Sequence, residues 1–395
     1  MHFLVVAEPN GWGGTEANTT LMIDALGGRG HRVDLWQIPS SGSGHYSRMW
    51  SNAHGELLEL SADAARGPGA RTWWNTRLER LAPAVVVLEK GYVNTLFPGL
   101  DLAARRCRLP LVIIEHHPAI TPAELTRLRP WTYLREWASP TYRALQRQHR
   151  LASSRISVSH ITERALNAYL RWTPRPSTVI HPGIRFDQFV PDPAGRRAAR
   201  ARHGIPEAAL VFGAVGRLHP YKRFDVALRL LASSSRLREA YLLLAGEGSE
   251  RERLEGLAAE LGVADRVRFA GWIPDEERRV VLSALDCFVM LSDLEGLGMA
   301  LIEAIACGCV CIATECGGPQ EILTHPSLGS LIPQGDWPAA TAAMEEVGDR
   351  HRAGTLHAAA GQRRSLVRAE YDAEVQNSRY ADYLEAVAGR RGRAA

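Results

Sequence analysis

Glu295 and Glu303 are separated by Gly-Leu-Gly-Met-Ala-Leu-Ile and follow the apolar run CFVMLS. That order places Glu295 in a loop after a strand and Glu303 about a turn and a half into the next helix. Gly296 and Gly298 leave the backbone open where the helix begins. The first N–H groups of a helix have no intrahelical acceptor, so here they can meet phosphate or sugar oxygens. Two carboxylates so placed can accept hydrogen bonds from a sugar and from a ribose diol. Taken alone, Glu303 is also explained as an acid near a helix start, where the helix dipole favours it.

Three other constellations also fall between a strand and a helix. Arg217 and Lys222, in GAVGRLHPYKRF, are two cations in one such loop, suited to the charge that develops on a diphosphate leaving group. Singly, each reads equally well as a surface cation. Gly11-Trp-Gly-Gly-Thr-Glu16 follows the first strand and resembles a dinucleotide fingerprint, with Asp34 downstream where a ribose-binding acid would stand. Glu16 replaces its third glycine and would bring a carboxylate to the helix start where pyrophosphate should lie. Gly317-Gly-Pro-Gln-Glu321 is another phosphate-friendly turn, and equally an ordinary loop. His116 and His117 end the strand LVIIEH and on their own read as a structural pair.

These loops need a scaffold of alternating strands and helices. In the first half, the runs HFLVVAE, HRVDLWQI, AVVVLE, LVIIEH and SRISVSH alternate with helical spacing, and most are continuously apolar, as strands covered on both faces are. They predict an open parallel sheet of roughly five strands. HPGIRFDQFVPDPAG then breaks every period, and LVFGAVG, YLLLAG, RVRFAG, CFVMLS and CVCIAT restart it. The expectation is two doubly wound α/β domains, residues 1–183 and 184–372, with a spare helix near 373–388 and a disordered tail over 389–395. Ligands bind at the carboxyl ends of such strands, where all four constellations fall.

Composition narrows the field further. Forty-seven basic and 43 acidic residues among 395 leave a net charge of +4, too weak a bias to imply nucleic-acid binding. The N-terminus lacks a basic segment and a small-residue cleavage site, and no apolar stretch approaches a membrane helix, so a cytoplasmic protein is expected. Between Ala123 and Leu151 six arginines face two glutamates, interleaved with Trp131, Tyr133, Trp137 and Tyr142. That mixture suits either a solvated helix face or weak peripheral contact with an anionic membrane. Cys307, Cys309 and Cys311 alternate too tightly for a zinc site, and CVCIAT reads as a buried strand that uses cysteine as a small hydrophobe.

The E-x7-E element, the Arg217/Lys222 pair, the early Gly-Gly-x-Glu loop and the later Gly-Gly-x-x-Glu turn, in this order, resemble the retaining glycosyltransferase family 4, glycosyl transferases group 1. The likeness spans nearly the whole chain and is densest from Val211 to Leu323. It implies the GT-B fold: two Rossmann-like domains facing across a cleft, with a C-terminal helix crossing back to the N-terminal domain. It also implies an N-terminal acceptor-binding domain and a C-terminal domain for a nucleotide sugar. By the resemblance, Arg217 and Lys222 bind the donor diphosphate, Glu303 the ribose hydroxyls, and Glu295 with Gly296, Leu297, Gly298 and Met299 the transferred sugar. Gly13 and Gly14 close on the pyrophosphate, Glu16 counts with them among the donor-binding residues, His116 lies near donor sugar and acceptor, and Gly246, Gly271, Trp272 and Ile273 border the nucleotide. Catalytic roles fall to His116, Arg217, Lys222 and Glu295.

The implied reaction retains anomeric configuration, uses no metal or other cofactor, and takes a hexose-type sugar, with UDP the expected nucleotide. The acceptor, whether glycan, lipid or small polyol, would meet loops 40–50, 91–97 and 117–129, in a monomer or homodimer. One departure stands out: Pro182-Gly-Ile-Arg185 replaces the family's Asn-Gly-Val-Asp, so no role is carried to Arg185. Two rival readings remain. A nicotinamide oxidoreductase would use the Gly11 loop and Asp34 but leave the second half's cations and acids idle. A nucleotide-sugar epimerase or binding protein would share the architecture without transfer.

Overall fold

In the computed structural model the described residues are 1–8, 13–38, 54–91, 96–118, 139–170 and 177–392. They fall into two compact units, Met1–Gly183 with Ala373–Ala395, and Ile184–Asp372. Each unit is built on one wholly parallel sheet. The first has the order β3 (Leu57–Glu59), β2 (Arg32–Gln37), β1 (His2–Ala7), β4 (Val85–Lys90), β5 (Leu111–Glu115), β6 (Ser154–Ser157), β7 (Ser177–Val179). The second has the order β10 (Val267–Gly271), β9 (Tyr241–Ala245), β8 (Val211–Val215), β11 (Cys287–Met290), β12 (Val310–Thr314), β13 (Gly329–Ile332). Parallel neighbours need long crossovers, and the helices that make them cover both faces. Alternate residues of β1 and β4 accordingly enter two separate cores, Phe3, Val5, Val85 and Val87 in one and Leu4, Val6, Val86 and Leu88 in the other.

Both sheets are wider than the apolar runs predict. The additional strands are β3 and β7 in the first unit and β13 in the second, short edge pieces of three, three and four residues. Most of their residues are only half-buried, so they lack the continuous apolar signature of a central strand.

In both sheets the chain order reverses beside the first strand: β1 lies between β2 and β4, and β8 between β9 and β11. The two connections that leave such a pair of strands diverge to opposite faces and leave a crevice at the carboxyl ends. In the first unit that place is flanked by the residues after Ala7 and after Lys90, in the second by those after Val215 and after Met290.

The last helix, Ala373–Gly392, belongs to the first unit. Tyr380, Ala381, Leu384, Val387 and Ala388 form one helical stripe in the same core as Val5 and Val87. The Tyr380 hydroxyl donates to the Ile180 carbonyl at 2.8 Å, and Arg29 and His31 bind Asp382 and Glu385 at 2.6 and 2.8 Å. The expected disordered tail over 389–395 is corrected here: the helix continues through Gly392, and only 393–395 lie outside the described residues. Basic residues such as Arg390 suit the negative end of a helix, which extends the element past its last apolar contact.

At the foot of the second sheet, Asp286 is fully buried just before β11. It accepts from Arg196 at 2.7 Å, Arg200 at 2.9 Å, the Val211 N–H at 2.8 Å and His357 at 3.0 Å. This one carboxylate joins the helix Pro193–Arg202 to the starts of β8 and β11.

Candidate functional site

The loops after β8 and β11 are tied together by backbone and side chain alike. The Asp293 N–H donates to the Tyr221 carbonyl at 2.7 Å, and Arg223 reaches the Asp293 carboxylate at 3.2 Å. Arg223 itself has φ 53°, a left-handed turn that ends the short helical piece Pro220–Lys222 and opens the helix Phe224–Ser233. Between these anchors Lys222 Nζ donates to Glu295 Oε1 at 2.7 Å. The Ser292 hydroxyl donates to the same oxygen at 2.6 Å, leaving Oε2 with no hydrogen-bond partner among the described residues. Burial works against the Lys222 ammonium, but the adjoining Glu295 carboxylate outweighs it and holds the lysine above its ordinary value. A fixed positive charge therefore sits at the crevice beside an acceptor oxygen still able to take a hydroxyl.

The rest of the Glu295 loop is shaped by close backbone approach. Glu295 and Gly317 form an isolated bridge, and the Gly318 N–H donates toward the Glu295 carbonyl at 3.4 Å. A side chain at Gly318 would bring its first carbon within 2.1 Å of the Leu297 carbonyl oxygen, so the Gly317-Gly318 turn serves to seat this loop. Gly298, at φ 96°, occupies the left-handed region just before the helix Met299–Ala306. Gly296, Leu297 and Gly298 are buried and Met299 half-buried, with the first N–H groups of that helix lacking intrahelical acceptors.

Glu303 is buried in the same helix and bonded to Arg278, whose Nη1 stands 3.1 and 3.4 Å from its two oxygens. Of the four residues expected at the donor, Lys222 and Glu295 are thus in direct contact, Glu303 is held by a partner the sequence does not announce, and Arg217 lies exposed five residues before Lys222. Gly246, φ 138°, follows β9 and packs against Gly216, and Gly271, φ 72°, ends β10. Beside it Trp272 presents 56 % of its surface to solvent while Ile273 is buried.

In the first unit, Gly13 caps the helix that begins at Gly14, with Glu16 buried in its first turn; Gly11 and Trp12 lie outside the described residues. His116, just past β5, is buried and bonded through Nε2 to Glu89 at 2.5 Å, on the adjacent strand β4. On the opposite face Lys90, Glu115 and His149 form a second buried set, with Glu115 at 3.3 Å from Lys90 and 3.2 Å from His149. Burial, with the nearby Lys90 charge, outweighs Glu115 and takes His149 down to about 4, so that imidazole is neutral.

Asp34 does not serve the dinucleotide reading. It sits inside β2 rather than past its end, and its carboxylate is already taken by His2, Arg32 and the Glu56 N–H at 2.9, 3.1 and 3.0 Å. The cysteines from Cys287 to Cys316 are buried thiols; burial pushes Cys309 up to about 12, so it is protonated and no thiolate ligand. Of the basic stretch 123–151 and the acceptor loops 40–50, 91–97 and 117–129, residues 40–50, 92–95 and 119–138 lie outside the described residues. The helix Pro140–Leu151 buries Tyr142, Leu145, Gln148 and His149, and its Arg147 binds Asp101 at 2.8 Å. Among the described residues no helix is long and apolar enough to cross a membrane.

The residues that sequence reasoning misses are partners of the expected ones: Glu89, Ser292, Arg223 and Arg278. Glu89 carries a signal, as a charge ending the apolar run AVVVLE. Arg278 carries none, because EERRVV reads as a solvated helix face.

The Glycosyltransferase Family 4 profile matches residues 12–188, and the Glycosyl transferases group 1 profile matches residues 195–353. A D-inositol 3-phosphate glycosyltransferase of Streptomyces bingchenggensis is 34% identical over 245 residues, 59% of this chain and 52% of that protein. A GDP-mannose-dependent alpha-(1-6)-phosphatidylinositol monomannoside mannosyltransferase of Mycolicibacterium smegmatis is 33% identical, over 45% of this chain and 48% of that one. The chain thus spans about half the length of these curated relatives. Among solved structures, Anabaena HepE in complex with UDP and glucose superposes with a TM-score of 0.78 at 19% identity, covering 98% of this chain and 100% of HepE. Sucrose-phosphate synthase from Thermosynechococcus elongatus gives 0.78 at 19%, covering 98% of each chain. At such identity these two speak for the fold, GT-B, and for nothing finer.

Proposed function

Because the chain belongs to the family 4, group 1 glycosyltransferases, we propose that it moves a hexose-type sugar from a nucleotide diphosphate donor to an acceptor hydroxyl with retention of configuration. The observation that carries this reading is the Lys222–Glu295 contact at the crevice between β8 and β11, one fixed cation beside one acid with an open oxygen. In the reaction, the bond from the anomeric carbon to the β-phosphate oxygen breaks as the bond to the acceptor oxygen forms on the same face. The acceptor proton passes to the departing phosphate oxygen. Lys222 and Arg217 stabilise the charge that grows on that leaving group, a task that needs preorganised donors more than covalent chemistry. Glu295 Oε2 and the N–H groups from Gly296 to Met299 hold the transferred sugar, and Glu303 the ribose. His116, fixed by Glu89, serves the acceptor side, and Trp272 offers a face to the base.

UDP is the proposed nucleotide, in keeping with HepE, whose structure holds UDP and glucose; the mannosyltransferase relative is named for GDP-mannose, which makes GDP the alternative. Metal independence is part of this proposal: each acid of Asp293-Leu-Glu295 already bonds a cation, Arg223 and Lys222, which offsets part of the charge that would draw a divalent ion. Turnover of a nucleotide-sugar panel, followed by release of nucleoside diphosphate, is expected to persist in excess EDTA. Full loss of turnover, restored by Mn²⁺, would instead assign those two acids to a metal.

A further inference from the structure

Glu303 owes its state to a neighbouring helix. Arg278, in Asp275–Ser283, reaches both of its oxygens through one nitrogen, and its Nη2 is fixed by Asp275 at 2.8 Å. The Arg278 Nε is buried with no hydrogen-bond partner among the described residues, so the guanidinium is held for its contact with the acids and not for a full set of bonds of its own. Burial lifts the Glu303 carboxyl above the ordinary glutamate value, Arg278 offsets part of that, and Asp275 adds to it. Other charged groups nearby are engaged elsewhere. From the helix Ala360–Tyr371, Arg364 binds the carbonyls of Ala306 and Phe189, and Arg363 that of Gly308. Cys307, which caps the helix that carries Glu303, is a neutral thiol raised by burial. Arg278 is therefore the one cation in contact with Glu303 among the described residues.

A ribose diol offers two donors, and an ionised carboxylate is an acceptor on every lone pair, whereas a protonated one presents a competing donor. We propose that Arg278 is the positioning residue of the nucleoside site, holding Glu303 as an oriented, acceptor-only carboxylate for the ribose of the donor. The inference rests on the reading of Glu303 as the ribose-binding acid. It predicts that the Arg278 charge, and not merely its bulk, sets how donor affinity responds to pH.

The test is calorimetric titration of the full chain with UDP-glucose and with GDP-mannose, neither of which titrates between pH 5.5 and 8.5, following whichever binds more tightly. Wild type should bind with a Kd that is flat across this window. Arg278→Met should bind roughly 10-fold more weakly at the acid end, as befits loss of one hydrogen bond to a charged group, and recover toward wild type at the alkaline end. Heats compared in two buffers of different ionisation enthalpy should show proton release on binding for Arg278→Met and none for wild type, while Arg278→Lys should restore the flat profile. A pH-independent Kd in Arg278→Met, unchanged or uniformly weakened, overturns the proposal; if that variant does not fold, Arg278→Gln is read by the same proton count. Glu303→Gln separates the two layers. If it binds as wild type does, the ribose reading itself fails, whatever Arg278 does.

Discussion

Lys222→Ala is expected to lower kcat by roughly 10² to 10³, the usual effect of removing one preorganised donor from a developing charge. The expectation follows from position and charge together. Lys222 closes a short helical turn whose middle carbonyl, that of Tyr221, takes the Asp293 N–H and whose end is set by the left-handed Arg223, so the ammonium is delivered to the crevice with little freedom. Its bond to Glu295 keeps it ionised against burial. In the proposed transfer, no reorganisation is then needed as the diphosphate leaves. Because Glu295 keeps its bond from Ser292, the variant should retain its fold, which circular dichroism and a melting curve would establish. Steady-state turnover equal to wild type in such a folded variant would remove Lys222 from the mechanism.

The second large effect is on stability. Asp286→Ala should destabilise the second unit by about 3–5 kcal/mol, the cost of breaking a buried ion pair by removing one partner. Arg200 is buried almost completely and Arg196 partly so; both would lose their carboxylate, and the Val211 N–H its acceptor. Burial alone would lift the Asp286 carboxyl, but His357, the two guanidiniums and that N–H outweigh it and hold it well below the ordinary aspartate range. A carboxyl depressed in the folded state contributes its stability fully above its unfolded value near ~4 and loses it as pH falls toward the folded one. Denaturant midpoints measured from pH 6 down to pH 2 should therefore fall less steeply in Asp286→Ala than in wild type. Parallel curves, or a midpoint unchanged at pH 6, would show that the cluster contributes little.

The central strands were legible because burial on both faces writes them as unbroken apolar runs, as in AVVVLE and CFVMLS. The edge strands β3, β7 and β13 were not, since a half-exposed strand of three or four residues carries no such run. The end of the last helix is hidden for a related reason: the sequence beyond Ala388 is Gly-Arg-Arg-Gly, with no apolar residue to mark an element, while its basic residues suit the helix's negative end. Within the site, glycines and acids at strand ends could be picked out because their chemistry depends on local spacing. Ser292 and Arg278 could not, because what defines them is a partner in space. Asp34 shows the opposite error, a spacing that matched a motif while the side chain was committed to His2 and Arg32.

The carboxyl edge of the second sheet is the proposed seat for a sugar-linked nucleoside diphosphate. A thermal-shift panel of UDP-, GDP- and ADP-sugars, with NADH alongside, tests it most directly. One sugar nucleotide at 100 times its Kd should add ~2.7 kcal/mol of stability, roughly 5–11 °C for a domain of this size, and Glu303→Gln should diminish that shift. A panel with no response, or a response to NADH alone, would contradict it.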